Sequence, residues 1–437
     1  MIENKVRFKN SYIGIFSLNY FIQGMNQSMF TVVIPIYLIL ELGSIGGENI
    51  AFLTSIVLLP FAIKFIYGML SDKIALKKLG RRKPWIIAFM IISGFIWIFI
   101  PFIIEAEKAF IIFTLGGIFI ALGVAIADTA IDGLILDICP KEKLGRVQGI
   151  CWGVRSLGII IGGPLIVVLY LLIGGSIDLI FIILGILMII SPLTIFLVKE
   201  IAIITKIKII PNLKLIFGKR KNWKVYMFSL FNSFVDGVIF VFLSLYIIIQ
   251  TPLLEAEGAT IGILETDADL YGPNAFISFI IGIGVILGSL IGGHIADLKS
   301  RRMSVYSSLL VTTIFILLFL IPAPVPILIV FAFLIGSSSG WRQAGFSAVI
   351  GQISTQYPEV DCTYFATCNS FINFGAVLGL QITGLLFISL TGLSTYAIYA
   401  IVFIFMIFMS NLGFIPFLTI DSNEYELISK RKEPKNM

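Results

Sequence analysis

Charge is what this chain has least of. Only 13% of its 437 residues are Asp, Glu, Lys or Arg, against about a quarter in soluble domains, while hydrophobic residues reach 58%. That composition excludes an ordinary soluble fold. One histidine, His294, excludes a multi-histidine metal site and limits histidine-based catalysis. The four cysteines, Cys139, Cys151, Cys362 and Cys368, lie in or beside apolar segments, without the spacing of a disulfide framework or metal site, and read as packing residues. No H-E-x-x-H, G-x-S-x-G or cysteine–histidine motif is present, so no catalytic constellation, metal or cofactor is expected. No charge-rich or Pro/Ser-rich stretch is long enough for a separate soluble domain.

What is present is a succession of apolar segments. About 20 mostly apolar residues cross a bilayer core as a helix. Cutting the chain at charged clusters and turn residues gives twelve such segments: 11–42, 49–71, 84–104, 109–138, 144–173, 177–198, 224–250, 273–297, 303–321, 325–352, 361–390 and 394–419. The first follows Lys5, Arg7 and Lys9 and is too long for a secretory signal, so it is expected to be a span.

The net charge of +6 is explained by where the basic residues sit. Of 31 Lys and Arg, 27 fall in the N-terminus, the loops after even-numbered segments or the C-terminal tail, and the opposite loops contain only Lys108. Those opposite loops carry acids, among them Glu255, Glu257, Glu265, Asp267 and Asp269. Positive charge stays cytoplasmic, so both termini are expected inside a multi-pass protein of the cell membrane, with the lipid bilayer rather than nucleic acid as its surroundings.

The sequence also repeats at half-length. Gly68-Met-Leu-Ser-Asp72 followed by Gly80-Arg81-Arg82 has a counterpart in Gly293-His-Ile-Ala-Asp297 followed by Arg301-Arg302. Asn19-x-x-x-Gln23-Gly24 matches Asn232-x-x-x-Asp236-Gly237. On these motifs the chain resembles the major facilitator superfamily, over nearly its whole length. The longer first loop, ending Gly80-Arg-Arg-Lys-Pro-Trp85, looks like the sugar-symporter and sucrose-transporter branches. Asp128-Thr-Ala-Ile-Asp132-Gly133, Gln148-Gly149 and Arg155-x-x-Gly158 are similar to the muropeptide-permease, acetyl-CoA-transporter and folate–biopterin branches.

The resemblance implies an all-α membrane fold of twelve helices in two pseudo-symmetric six-helix bundles. The expected bundles are 1–198 and 224–420, with a cytoplasmic basic linker at 199–223 and a cytoplasmic tail at 421–437. It implies a monomeric secondary transporter working by alternating access, with helices one, four, seven and ten lining the cavity. In the two loops, Gly68, Asp72, Gly80, Arg81, Arg82, Gly293, Asp297, Arg301 and Arg302 form the expected cytoplasmic gate. There the aspartates pair with the following arginines, and Gly68 and Gly293 let helices approach closely. Simple positive-inside anchoring is the plainer alternative.

Ionisable groups at depth cost roughly 2.5–3.5 kcal/mol each on insertion scales and face the protein interior. Six qualify: Lys64, Asp128, Asp132, Arg155, Asp236 and Arg342. Their three positive and three negative charges allow mutual neutralisation. Asn19, Gln23, Asn26 and Gln27 share one face of the first helix, and Ser229, Asn232, Ser233 and Asp236 share one face of the seventh. Substrate contacts are therefore expected from Asn19, Gln23, Asn26, Arg155, Asn232 and Arg342. The planar fork of Arg155 suits a carboxylate or phosphate; a salt bridge to Asp128 or Asp132 is the alternative. Arg342 is expected either at the ligand or in gate pairing, and Lys64 to snorkel or pair.

Coupling needs a group that changes protonation or binds a cation. Asp236 is the first candidate because its own helix offers no cation, followed by Asp128 and then Asp132. The expected coupling ion is H+, with sodium, uniport and exchange left open. The solute is expected to be small and polar, anionic or sugar-like. The competing readings are a membrane-embedded enzyme and a non-transporting assembly factor or sensor on the same scaffold.

Overall fold

A computed structural model describes residues 8–73, 79–200, 209–263, 269–357 and 361–426. Among them, eleven helices are long and apolar enough to cross a membrane. They are Ser11–Leu42, Gly47–Ser71, Lys83–Ile103, Ala106–Ile138, Ile177–Leu197, Arg220–Ile249, Tyr271–Leu298, Arg301–Phe319, Val325–Ser354, Thr363–Ser389 and Thr395–Leu418. The remaining expected segment, 144–173, is helical too, through Lys141–Ile160, Ile161–Leu165 and Ile166–Leu172, and Gly153–Val168 is an apolar stretch within it. Counting it as the fifth helix, the spans are numbered in chain order below.

The chain divides into two compact units. The first contains Met1–Glu41 and Ile56–Ile209, the second Leu42–Ser55 and Ile210–Met437. Leu42–Ser55 belongs with the second unit because of a small sheet that hydrophobic periodicity did not announce. β1 (Ser44–Gly46) pairs antiparallel with β3 (Thr260–Ile263), which pairs in turn with β2 (Leu254–Glu257). The β2–β3 hairpin turns at Gly258, whose φ of +60° favours glycine. The Gly47 N–H extends this contact to the Ala259 carbonyl at 2.8 Å, and Gln381 donates to the Ser55 hydroxyl at 2.6 Å.

Of the expected linker, residues 201–208 lie outside the described set; the rest forms a short helix, Ile209–Phe217, and the beginning of the seventh span. Of the expected tail, residues 427–437 also lie outside it.

Several spans depart from regular α geometry, the first, fifth and seventh among them. The first span holds a π-helical segment at Met29–Val33 and the fifth another at Ile161–Leu165. Pro35 follows one and Pro164 lies within the other; each removes a helical N–H, and the wider turn accommodates the loss. The seventh span breaks at 233–235, between Arg220–Asn232 and Asp236–Ile249. Asp236 therefore opens a new helix.

The internal repeat is visible in the packing of each unit. In the first, Gly158 of the fifth helix lies against the carbonyl of Phe21 on the first span; in the second, Gly379 of the eleventh span lies against the carbonyl of Phe234 on the seventh. In both places an added Cβ has no room. Phe21 and Phe234 occupy matching places within the repeated Asn-x-x-x-[Gln/Asp]-Gly motif.

Candidate functional site

In the first unit the polar chemistry gathers on Asp128, in the middle of the fourth span and fully buried. Lys64 of the second span reaches one carboxylate oxygen, and Arg155 of the fifth helix lies 3.0 Å from the other. Arg155 also donates to Gln27 Oε1 at 3.2 Å, which ties the first span to the same group. Two cations thus share one carboxylate where water is excluded. One turn further along the fourth span, Asp132 is less buried and accepts from the buried Tyr20 hydroxyl.

The second unit builds a simpler pair. Asp236, first residue of the helix resuming the seventh span, is bonded by Arg342 of the tenth span and by the Ser339 hydroxyl at 3.3 Å. Arg342 also donates to the Ser410 hydroxyl at 2.9 Å. The helix that Asp236 opens, Asp236–Ile249, offers no cation of its own, the ground on which Asp236 ranks first for coupling. That reason does not survive: the cation comes from the tenth span, beyond the reach of a single-helix reading.

The structure brings five of the six buried ionisable residues into these two clusters, and Asp132 into the bond with Tyr20. It does not bring the one-face set of the first span together. Asn19 donates to the Ser191 carbonyl and the Thr194 hydroxyl of the sixth span, each at 3.3 Å. Asn26 accepts from the Trp97 indole of the third span at 2.7 Å, inside a ring cluster that includes Phe30 and Phe181. Asn19 and Asn26 thus tie the first span to the sixth and third spans of the first bundle. Gln23 is fully buried, and neither amide atom finds a hydrogen-bond partner among the described residues. Asn232 is buried, and its backbone carbonyl accepts from Ser410 at 3.5 Å. Gln27 is the member of this set that meets the charged group, since the residue after Asn26 points toward a different neighbouring helix.

The repeated loops engage partners that lie outside the two motifs. The side chain of Asp72 lies outside the described residues. Asp297 is exposed and forms no ion pair among the described residues. Arg81, Arg82 and Arg301 bond groups beyond the motifs. Arg81 meets Asp137, at the end of the fourth span, at 2.7 Å; Arg82 meets the same carboxylate at 3.2 Å and the Ser71 hydroxyl at 2.5 Å. The backbone N–H groups of Arg81 and Arg82 point to one oxygen of Glu200, at 2.7 and 2.8 Å, and that of Lys83 to the other, at 3.3 Å.

The second copy repeats the device. Glu426 accepts from the backbone N–H groups of Arg301 and Arg302 at 3.1 and 2.9 Å, and Arg301 donates to Gln352 at 2.9 Å and the Tyr425 carbonyl at 2.6 Å. Burial pushes the Tyr425 phenol up to about 12. In both units a carboxylate from just beyond the last helix caps the start of the third helix of that unit, where unpaired N–H groups and the helix dipole favour negative charge.

Close approach does not explain Gly68 and Gly293. A Cβ on Gly293 would meet nothing within 4 Å, and one on Gly68 only Thr129 Cγ2 at 3.5 Å, an ordinary contact. Gly80 has a different requirement, a φ of +87°, which turns the chain so that the following N–H groups reach Glu200. Asp137, Glu200 and Glu426 escaped the sequence reading. The available signal was an acid shortly after both the sixth and the twelfth segments, half a chain apart.

No group of three or more metal-ligating His, Cys, Asp or Glu occurs among the described residues. Cys139, Cys151 and Cys368 are buried and form no disulfide among the described residues.

Comparison with known proteins agrees with this architecture. The model of the Major Facilitator Superfamily matches residues 16–266. The probable folate-biopterin transporter 4 of Arabidopsis thaliana is 24% identical over 161 residues, 36% of this chain and 32% of its own. The folate-biopterin transporter of Synechocystis is 27% identical over 146 residues, 32% of this chain and 28% of its own. The putative transporter AmpG 1 of Rickettsia felis is 28% identical over 158 residues, 35% of each. The matches therefore span about a third of these relatives' lengths.

Among solved structures, a bacterial homolog of the human lysosomal transporter Spinster aligns with a TM-score of 0.65 at 14% identity, covering 96% of this chain and 99% of that one. The D-xylose–proton symporter aligns with a TM-score of 0.65 at 13% identity, covering 92% and 96%. At such identity these two likenesses concern the fold.

Proposed function

This chain belongs to the major facilitator superfamily, and on that premise we propose that it is a secondary transporter moving a small anionic solute by alternating access, coupled to protons. It is a multi-pass membrane transporter rather than a membrane-embedded enzyme, and its partners are a small-molecule solute and the bilayer.

The observation that carries the anionic reading is the sharing of the Asp128 carboxylate by Lys64 and Arg155. One carboxylate balances one cation. The second positive charge favours an anion from solution, and the guanidinium can accept it in bidentate fashion. Folate, which appears in the names of two relatives, carries carboxylates and is chemically compatible with such a site. A neutral sugar makes no use of the second cation, so the sugar-like alternative has less support.

The same arrangement is compatible with proton coupling. A proton on Asp128 removes the charge that engages Arg155 and makes the guanidinium available to the solute; loss of that proton restores the pair. In the second unit, protonating Asp236 would release Arg342 likewise. Cytoplasmic termini and a cell-membrane location are part of this proposal, supported by the placement of the basic residues.

The test is a thermal-shift screen of the purified protein against carboxylates, nucleotides, peptides, sugars and organic cations at pH 5.5 and 7.5. A ligand that binds the native state raises its apparent stability. Stabilisation by an anionic solute that disappears in Arg155→Ala supports the assignment. Stabilisation by neutral or cationic solutes alone contradicts it.

A further inference from the structure

The short helix Ile209–Phe217 stands outside the spans, and its bonds fix it to the beginning of the seventh one. Asn222 donates to the Ile216 carbonyl at 2.7 Å, Trp223 to Phe217 at 2.8 Å, and Tyr226 to Ile216 at 3.2 Å. Side chains of the following helix thus take up the carbonyls that the short helix leaves open at its C-terminus. Ile216 is buried against Val225 and Tyr226, so one side of the short helix is anchored in protein.

The exposed side is basic. Lys214, Lys219, Arg220, Lys221 and Lys224 are all exposed around this junction. Lys219 and Lys221 converge on one ring: their ammonium groups lie 5.1 and 5.5 Å from the centroid of Tyr357. Lys221 has a partner in Glu424 at 3.4 Å, whereas Lys219 has no carboxylate partner among the described residues. The Tyr357 ring is itself fixed, stacked on Tyr364 at 4.6 Å and bonded to Asn222 at 2.7 Å. Beside the lysines, Trp223 is 42% exposed although it sits at the start of a span, as an indole at a membrane–water boundary does.

We propose that this junction binds the headgroups of anionic phospholipids, with a phosphodiester bridging Lys219 and Lys221 over Tyr357 and Trp223 lying at headgroup level. Charge complementarity selects an anion. The exposed indole at the start of a span selects a lipid over a soluble phosphate, because only the lipid places acyl chains where that ring lies. Each basic residue near an anionic surface strengthens the attraction about fivefold.

The experiment titrates full-length protein in a neutral detergent with short-chain phosphatidylglycerol and follows its melting temperature. Phosphatidylcholine of equal chain length and inorganic phosphate are run in parallel. Phosphatidylglycerol is expected to raise the melting temperature more than either control. Lys219→Gln/Lys221→Gln is expected to weaken that response at least tenfold in lipid concentration, and Lys108→Gln to leave it unchanged. Both altered lysines are exposed, so the variants fold. An equal response to phosphatidylcholine, a full response to phosphate alone, or an undiminished response in the double variant overturns the proposal.

Discussion

Arg155 lies 3.0 Å from one oxygen of Asp128, and Lys64 holds the other oxygen of the same carboxylate. The three residues come from the fifth helix, the fourth span and the second span. Their arrangement makes the single substitutions unequal. Removing Arg155 leaves a neutral Lys64–Asp128 pair, whereas removing the Asp128 charge leaves two buried cations facing each other.

Arg155→Ala is therefore expected to insert and fold, with a stability loss of about 1.5–3 kcal/mol, the scale of a hydrogen bond to a charged group. Asp128→Asn is expected to cost roughly 3–5 kcal/mol. Lys64→Gln in the Asp128→Asn background should recover part of that loss. Melting curves of the purified variants decide the order, and a milder effect for Asp128→Asn than for Arg155→Ala would contradict the shared-carboxylate account.

Asp236 and Arg342 form a pair across two spans of the second unit, so their substitutions should be coupled. A double-mutant cycle with Asp236→Asn and Arg342→Gln is expected to give an interaction energy of about 1–3 kcal/mol. Additive effects would mean that the two side chains act independently.

Glu200 and Glu426 each cap the first residues of the third helix of their unit. Glu200→Ala and Glu426→Ala are each expected to destabilise by about 1–2 kcal/mol, in line with loss of a helix N-cap. Asp297→Ala, at an exposed position without an ion pair among the described residues, should change stability by less than either. Thermal melts of the three variants side by side test this ranking.

Gly158 and Gly379 lie against backbone carbonyls of the first and seventh spans, which cannot move aside as a side-chain tip can. Alanine at either position is expected to cost about 1–3 kcal/mol through overpacking. Gly153 is on the same helix as Gly158, but a Cβ there would meet nothing within 4 Å. Gly153→Ala is expected to be neutral or slightly stabilising, and equal damage at 153 and 158 would argue against the close-approach reading.

The all-α membrane fold was legible because hydrocarbon demands long apolar helices and the apolar runs meet that demand one after another. The paired motifs around Gly68–Arg82 and Gly293–Arg302 made the repeat legible as well. Partners were harder to read. The periodicity of Asn19, Gln23 and Asn26 identifies a shared face, but not whether that face meets a solute or another helix; contacts with Ser191 and Trp97 show it facing the bundle. The cation of Asp236 lies more than 100 residues away in sequence, at Arg342, and no local pattern announces it. Glu200 and Glu426 lie beyond the last span of each half, among charges that look like ordinary membrane anchoring.

The most direct test of transport and its proposed chemistry follows internal pH in proteoliposomes loaded with a pH-sensitive dye, held at an outside pH of 5.5 and an inside pH of 7.5. Candidate solutes are added outside. An anionic solute is expected to accelerate lumenal acidification with the wild-type protein, and Arg155→Ala is expected to abolish that acceleration while remaining inserted. Acceleration that is undiminished in Arg155→Ala, or that only neutral solutes produce, would contradict the account.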